Sequence, residues 1–521
     1  MINKICVILI VVLATSCMTA CTKTTNVKPD EGAKSSSSRS SDRVSNGGYY
    51  TEEDLIKQDV FYYTKLFSLW TDNIPPQNVV EDREILHSYT KDFRDGEEVL
   101  SHLMSFTPPF MGKPIDRYSF LDREGEVSNE IQDGVSSSYG LYVFYLRTST
   151  SGNNSDLYIR MVDKNSPAYA AGLRRGDRIL SINGNTNIDY NTQKAQDFRV
   201  VDDAIYYSKS VSLKIVNPAG ATKDIQLTST VYDMDPILSS KVFEQNGKKI
   251  GYLAFNSFVS VNVNGVNSAM YTAFEQVFRT FERDNISELI VDIRYNGGGA
   301  VNTAEYLANY LAPASANGQR MLSYKVNRTM VEWGDTKEGA EFGPVNFLRK
   351  GTLNLGKVYF LVTSSTASAS ELLINVLKPY FGSNLLIIGT YGLDTEGARI
   401  PENTYGKPVG FFGYRIVNDK TDLFVTSFQM FNRDNYGDYF NGLVPDRHTS
   451  EDYFKDFGDP QEGMIAEALT YSATGNWVLA NARVAIASAN KVKNERNQRV
   501  RFLEKNRHMK GMYKFKEAPM K

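Results

Sequence analysis

The hydrophobic and polar positions change rhythm several times along this chain. From residue 49 to about 115, segments such as "EEDLIKQDVFYYTKLFSLW" place Leu55, Val60, Tyr63 and Leu66 near helical spacing, which predicts a small helical N-terminal region without evident chemistry. Residues 132–230 carry short strand-like runs. From about 236 to 475 strand and helix patterns alternate. "KIGYLAF" predicts a strand, and Phe274, Val277, Phe278 and Phe281 form one face of a helix. "LIVDI" reads as a buried strand, "VNTAEYLANYLA" as a helix, "KVYFLV" as a strand, "SELLINVLKPY" as a helix and "NLLIIG" as a strand. Such alternation predicts βαβ units on a largely parallel sheet, within an α/β multi-domain chain. Ligands of such sheets sit outside the carboxyl ends of the strands.

The two ends differ from this body. Residues 1–21 join a lysine near the start, a short apolar run from Ile5 to Ala14 and small residues before Cys21, a secretory pattern too short for a spanning helix. The ending "MTAC" resembles a bacterial lipoprotein signal with Cys21 lipidated, and "ATSC" keeps Cys17 as an alternative. All three cysteines lie in this segment, which leaves the body without a disulfide framework or a catalytic cysteine. Residues 22–48 are polar and Ser-rich, a tether that buries too little to order itself. Residues 476–521 form a basic tail, expected as a helix fraying into a solvated end. At 521 residues, two to four domains are expected. A charged fraction of 23% and a formal net charge of −2 argue against nucleic acid as partner.

Candidate chemistry concentrates in three stretches. "TSSTASASELLINVLKPY" packs six hydroxyls between Thr363 and Ser370, ahead of the apolar helix face Leu372, Leu373, Val376 and Leu377. Ser368 and Glu371 fit a capping box, which holds even for a protein that catalyses nothing. The same geometry also puts a serine at a strand-to-helix turn, where the helix N-terminus favours negative charge. A serine nucleophile needs a base. The four histidines, His87, His102, His448 and His508, lie outside the expected core loops, and no Gly-x-Ser-x-Gly elbow is present. A desolvated lysine can replace histidine, and "NTYGKPVGFFGYRI" offers Lys407 among Tyr405, Pro408, Val409, Phe411 and Phe412. The glycines of "VDIRYNGGGAVNTAEYLANYL" let backbone N–H groups approach a substrate, and they lack the spacing of a nucleotide-binding loop.

"DIRYNGGG", "STASASELLINVLKPY" and "NTYGKPVGFF", in that order, resemble the signatures of the S41 serine peptidases, the C-terminal (tail-specific) processing proteases. The resemblance implies a βαβ protease core of the ClpP-like, crotonase type. It implies Ser368 as nucleophile, Lys407 as general base, and the N–H groups of Gly298 or Gly299 and of Ala369 as oxyanion donors. Glu371 matches a family carboxylate near the dyad, which orients it or caps the helix. Two departures stand out. The 39-residue gap from Ser368 to Lys407 exceeds the family's spacing, with a second "TYG" at Thr390 to Gly392. At the usual spacing the residue is near Leu393, so either "LDTEGARIPEN" belongs to an inserted loop or the chain is an inactive relative. Phe411 also stands where some members carry a polar residue that supports the lysine.

"VDKNSPAYAAGLRRGDRILSINGNTN" resembles a PDZ domain in its "SPA…AGL…GD.IL.ING" frame. Such domains add a peptide C-terminus to a sheet edge while backbone N–H groups hold the carboxylate. The resemblance places the carboxylate loop at Tyr139, Gly140 and Leu141, and the edge strand at Leu141 to Leu146. Together these imply an exported serine endopeptidase, lipid-anchored and facing the periplasm or the cell surface. It would act on proteins or peptides with free C-termini, without metal or cofactor. Two rivals remain: a non-catalytic peptide-binding lipoprotein on the S41 fold, and a carrier of small apolar ligands.

Overall fold

The computed structural model describes residues 50–148, 154–394, 398–417, 421–477, 498–503 and 511–515. The expectations for the signal segment, Cys21 and the tether fall on residues outside these. No described helix is long and apolar enough to cross a membrane.

The centre is a six-stranded sheet. Lys248–Phe255, Glu288–Asp292, Lys357–Leu361 and Leu385–Gly389 run parallel, with Ile237–Gln245 antiparallel at one edge and the short strand Arg447–His448 at the other. Glu288–Asp292 and Leu385–Gly389 are buried along their whole length and Lys357–Leu361 at all but its first residue, so they read as near-continuous apolar runs rather than as alternation. Helices Ala269–Arg283, Val301–Leu311 and Ala369–Phe381 join one large apolar cluster with this sheet, while Gly463–Thr474 packs in a second cluster. The expected face Phe274, Val277, Phe278 and Phe281 is buried.

The N-terminal helices Glu52–Phe67, Arg83–Thr90 and Gly96–Ser105 share that same large cluster, so this region completes the core around the central sheet instead of standing apart. The buried stripe of the first helix includes Ile56, Val60 and Phe67, whereas Leu55, Tyr63 and Leu66 are only partly covered. A second sheet sets the strand Phe120–Asp122 against Asp422–Asn432, which also pairs with Val409–Arg415. A separate sheet of Leu141–Arg147, Asp156–Val162, Arg178–Ile182, Ser210–Val216 and Thr222–Thr228 has its own apolar cluster, matching the expected β-rich unit at 132–230.

The tail departs from expectation. Gln498–Phe502 forms a strand on the free edge of Leu141–Arg147, and Met512–Phe515 forms a strand between Gly299–Ala300 and Val409–Arg415. Lone periodicity could not show this, because a strand's partner supplies its hydrogen bonds and cover from far along the chain.

Candidate active site

The turn that ends in Ser368 starts where Lys357–Leu361 leaves the sheet. Its hydroxyls divide by role. Thr366 Oγ1 donates to the Ile293 carbonyl (2.8 Å) and accepts from Thr363 N–H (3.0 Å), Thr363 Oγ1 donates to the Arg294 carbonyl, and Ser370 Oγ donates to the Asn296 carbonyl (3.1 Å). These bonds lock the turn onto the strand end that leads into the glycine loop. Ser368 is fully buried, and its hydroxyl has no hydrogen-bond partner. Its backbone is left-handed, at φ 61° and ψ −111°, a conformation that costs a non-glycine residue of order 1–3 kcal/mol and that clusters at functional sites. The helix Ala369–Phe381 begins directly after it.

Glu371 ties the two expected catalytic residues together. Its Oε2 accepts from the Ser368 N–H (2.8 Å) and from the Lys407 N–H (2.9 Å); its Oε1 accepts from the Gly406 N–H (2.8 Å) and from the Thr404 hydroxyl. One carboxylate oxygen therefore holds the main chains of Ser368 and Lys407 within a few ångströms of each other. The Glu371 half of the capping box is made, while the Ser368 hydroxyl occupies the capping position without hydrogen-bonding there. Burial pushes the Glu371 carboxyl upward in pKa, against the four donors that favour its charged form. Thr404 was not a candidate from sequence; its place in the repeated "TYG" is the only signal it carries.

Lys407 is 2% exposed. Its Nζ lies 3.8 Å from the Phe411 ring centroid and 4.9 Å from that of Tyr118. Phe411, the departure from the family pattern, thus forms a wall of the lysine's pocket. Tyr118 comes from the N-terminal region and has no sequence signal linking it to the lysine. Between Ser368 and Lys407, the strands Tyr391–Leu393 and Arg399–Pro401 pair as a hairpin. The hairpin occupies part of the gap between Ser368 and Lys407, and Leu393 lies within it.

The expected oxyanion donors converge, with one qualification. A Cβ on Gly298, at φ 110°, would stand 3.0 Å from Ala369 N and would strike the Gly511 carbonyl; one on Gly299, at φ 139°, would strike the Phe258 carbonyl. Only glycine permits this approach. The Gly298 N–H, however, donates to Asn296 Oδ1 (2.9 Å), and the Gly299 N–H donates to the Gly511 carbonyl (2.6 Å). Ala369 holds the first helical position, whose N–H has no intrahelical acceptor.

On the β-rich unit, Gly140 is left-handed at φ 67°, and its N–H donates to Ser138 Oγ (3.0 Å). The Tyr139 ring is buried, with its hydroxyl donating to the Ser208 carbonyl (2.6 Å). Tyr139, Gly140 and Leu141 line a cavity of about 370 Å³ that reaches Gly297 and Gly298, so the expected carboxylate loop and the glycine loop open onto one space. Arg175 of this unit enters a buried charge cluster behind the glycine loop. Its Nη2 is 2.7 Å from Glu451 Oε1, and Arg294 pairs with Asp292 (2.7 Å), Glu462 (2.9 Å) and the same Glu451 oxygen (3.2 Å). The two arginines hold the Glu451 carboxyl down at about 2 in spite of its burial.

Residues 249–448 match the model of peptidase family S41, and residues 158–198 match that of a PDZ domain. Among curated proteins, the chain is 25% identical over 312 residues to the carboxy-terminal processing protease CtpB of Bacillus subtilis, covering 54% of this chain and 57% of that protein. It is 23% identical over 252 residues to the chloroplastic carboxyl-terminal-processing peptidase 3 of Arabidopsis thaliana, covering 47% and 43%. The chain spans about half the length of the curated relatives it matches. Among solved structures, a Bacteroides fragilis protein assigned as an S41 protease superposes with a TM-score of 0.59 at 22% identity, covering 82% of this chain and 99% of that one, a likeness of fold. The chain is therefore similar to peptidase family S41 over residues 249–448 and to a PDZ domain over residues 158–198.

Proposed function

We propose that the chain is a serine endopeptidase of the C-terminal processing type, with Ser368 as nucleophile and Lys407 as general base. The observation that carries this reading is the Glu371 carboxylate, which binds both main chains through one oxygen beside a buried, unpartnered Ser368 hydroxyl. Ser368 Oγ attacks the scissile carbonyl carbon and its proton passes to Lys407 Nζ as general base, while the carbonyl π electrons move onto oxygen. The Ala369 N–H at the helix start stabilises that oxyanion. Collapse breaks the C–N bond, and the leaving amine takes the proton from the Lys407 ammonium. A water then gives its proton to Lys407 and attacks the acyl ester, and Ser368 recovers a proton as it leaves. Desolvation is what favours the amine over the ammonium form of such a lysine.

Substrates are exported proteins or peptides whose extended C-terminal segment pairs with the edge of Leu141–Arg147 and turns its carboxylate to the loop Tyr139, Gly140 and Leu141. The shared cavity leading to Gly298 supports this route. The placement outside the cytoplasm, lipid-anchored through Cys21, rests on the pattern of residues 1–21. The test is incubation with a denatured protein ending in a free apolar C-terminus, with products identified by mass spectrometry. Cleavage by the native chain and none by Ser368→Ala supports the reading. An inert native chain moves the non-catalytic peptide-binding reading ahead.

A further inference from the structure

The edge strand that would receive a substrate is already paired. Gln498–Phe502 runs antiparallel to Leu141–Arg147, with Gln498 opposite Arg147, Arg501 opposite Tyr145 and Phe502 opposite Phe144. The tail thus advances toward the Gly140 turn, the direction in which an added peptide strand would bring its end to the carboxylate loop. Leu503 is 2% exposed and belongs to the same apolar cluster as Val143, Phe198 and Ile205. The Tyr206 hydroxyl donates to the Leu503 carbonyl (2.6 Å), and the Leu503 N–H donates to the Val143 carbonyl (3.3 Å). These residues seat Leu503 as an anchor between the edge strand and the helical segment from Arg199 to Tyr207.

The groove also reads charge. Arg499 is buried and pairs with Glu402, on the short link between the inserted hairpin and Lys407. The Arg501 guanidinium lies 4.0 Å from the Phe198 ring centroid, in electrostatic contact with Asp202. Further along, the same tail sets the Gly511 carbonyl on the Gly299 N–H and buries Met512 and Tyr513 between the glycine loop and the strand that follows Lys407. One terminal segment therefore fills both the peptide groove and a position at an expected oxyanion donor.

We propose that residues 498–503 are the built-in occupant of the PDZ groove, that the groove selects extended peptides of the pattern Arg-x-Arg-aromatic-aliphatic, and that a substrate must displace this tail to bind. The inference rests on the reading of Leu141–Arg147 as the peptide edge and is independent of catalysis. Glu402 and Asp202 supply the charge preference, and the Leu503 site supplies the apolar anchor. Because Glu402 precedes Thr404 and Lys407, exchange of tail for substrate changes a contact at the foot of the base loop.

The experiment uses the full chain carrying Ser368→Ala, so that nothing is cleaved, with and without Leu503→Asp in the tail. The probes are fluorescein-labelled Gln-Arg-Val-Arg-Phe-Leu, which copies residues 498–503, and its Gln-Glu-Val-Glu-Phe-Leu counterpart, followed by anisotropy. The expected result is at least tenfold tighter binding of the arginine peptide once Leu503→Asp loosens the tail, and at least tenfold weaker binding of the glutamate peptide. Equal affinity with and without Leu503→Asp, or binding that ignores charge, overturns the proposal. If Leu503→Asp lowers the melting temperature of the whole chain, the milder Arg499→Ala/Arg501→Ala tail gives the same comparison. A competed groove here, together with a native Ser368 chain that cleaves no denatured substrate, would sink the proposed catalysis and leave this inference standing.

Discussion

The turn that presents Ser368 and the tail strand that passes it meet at Gly298, yet they are held by different means. The turn is built partly from near neighbours, Thr363 with Thr366 and Ser368 with Glu371, and partly from hydroxyls laid on one strand end at Ile293 and Arg294. The tail reaches Gly299 from more than two hundred residues away and is held by strand pairing and by burial of Met512 and Tyr513. Side-chain hydrogen bonds thus set the geometry of the turn at Ser368, while strand pairing of a distant segment sets what occupies the space beside it.

The largest expected effects come from removing what each region stands on. Arg294→Ala leaves the buried carboxylates of Asp292, Glu451 and Glu462 without their shared cation beneath the turn, and is expected to cost about 3–5 kcal/mol by chemical denaturation. Tyr513→Ala opens a cavity among Phe120, Val409, Phe411 and Phe424, with an expected cost of about 3–5 kcal/mol. A change within about 0.5 kcal/mol, as for an exposed position, would return the tail to a frayed end and break the comparison.

A smaller effect concerns the joint between the PDZ domain and the core. Asp163 accepts from the hydroxyls of Tyr142 (3.0 Å) and Tyr232 (2.9 Å) and from the Asn256 amide (2.9 Å), and burial pushes its carboxyl up to about 6. With its folded pKa above the unfolded value, the folded chain binds more protons through this window. Its contribution therefore falls as pH rises from about 4 to about 6, by roughly 3 kcal/mol at most. Melting curves across that range should show the loss, and Asp163→Asn should flatten it. The smallest effect sharpens the turn's side. Ser368→Gly removes the left-handed strain and should raise stability by about 1 kcal/mol while abolishing cleavage. No gain in melting temperature would mean that the surrounding turn does not hold Ser368 in strain.

Much of the peptidase core was legible in the sequence because its determinants are near neighbours. Buried parallel strands read as apolar runs, and the helix after Ser368 carries its own cap and stripe. "TYGK" pointed to Lys407, whose main chain does share the Glu371 carboxylate with Ser368, and a hairpin at Tyr391–Pro401 lies between them. The first helix was placed correctly, but its covered stripe was shifted, since Ile56 and Phe67 are buried while Tyr63 and Leu66 pack against the core only in part. The left-handed backbone of Ser368, the contact of Tyr118 with Lys407 and both tail strands were not legible. Each depends on partners far away in the chain, where charge and periodicity of the segment itself carry no information.

The most direct test compares initial cleavage rates of the native chain, Ser368→Ala and Lys407→Ala on one denatured substrate. The account predicts that both variants fall by at least about 10³-fold, because nucleophile and base act as a unit. A Lys407→Ala chain that keeps more than about a tenth of the native rate would contradict it, since general-base assistance alone is worth about 10²–10⁴-fold, and would place the base elsewhere.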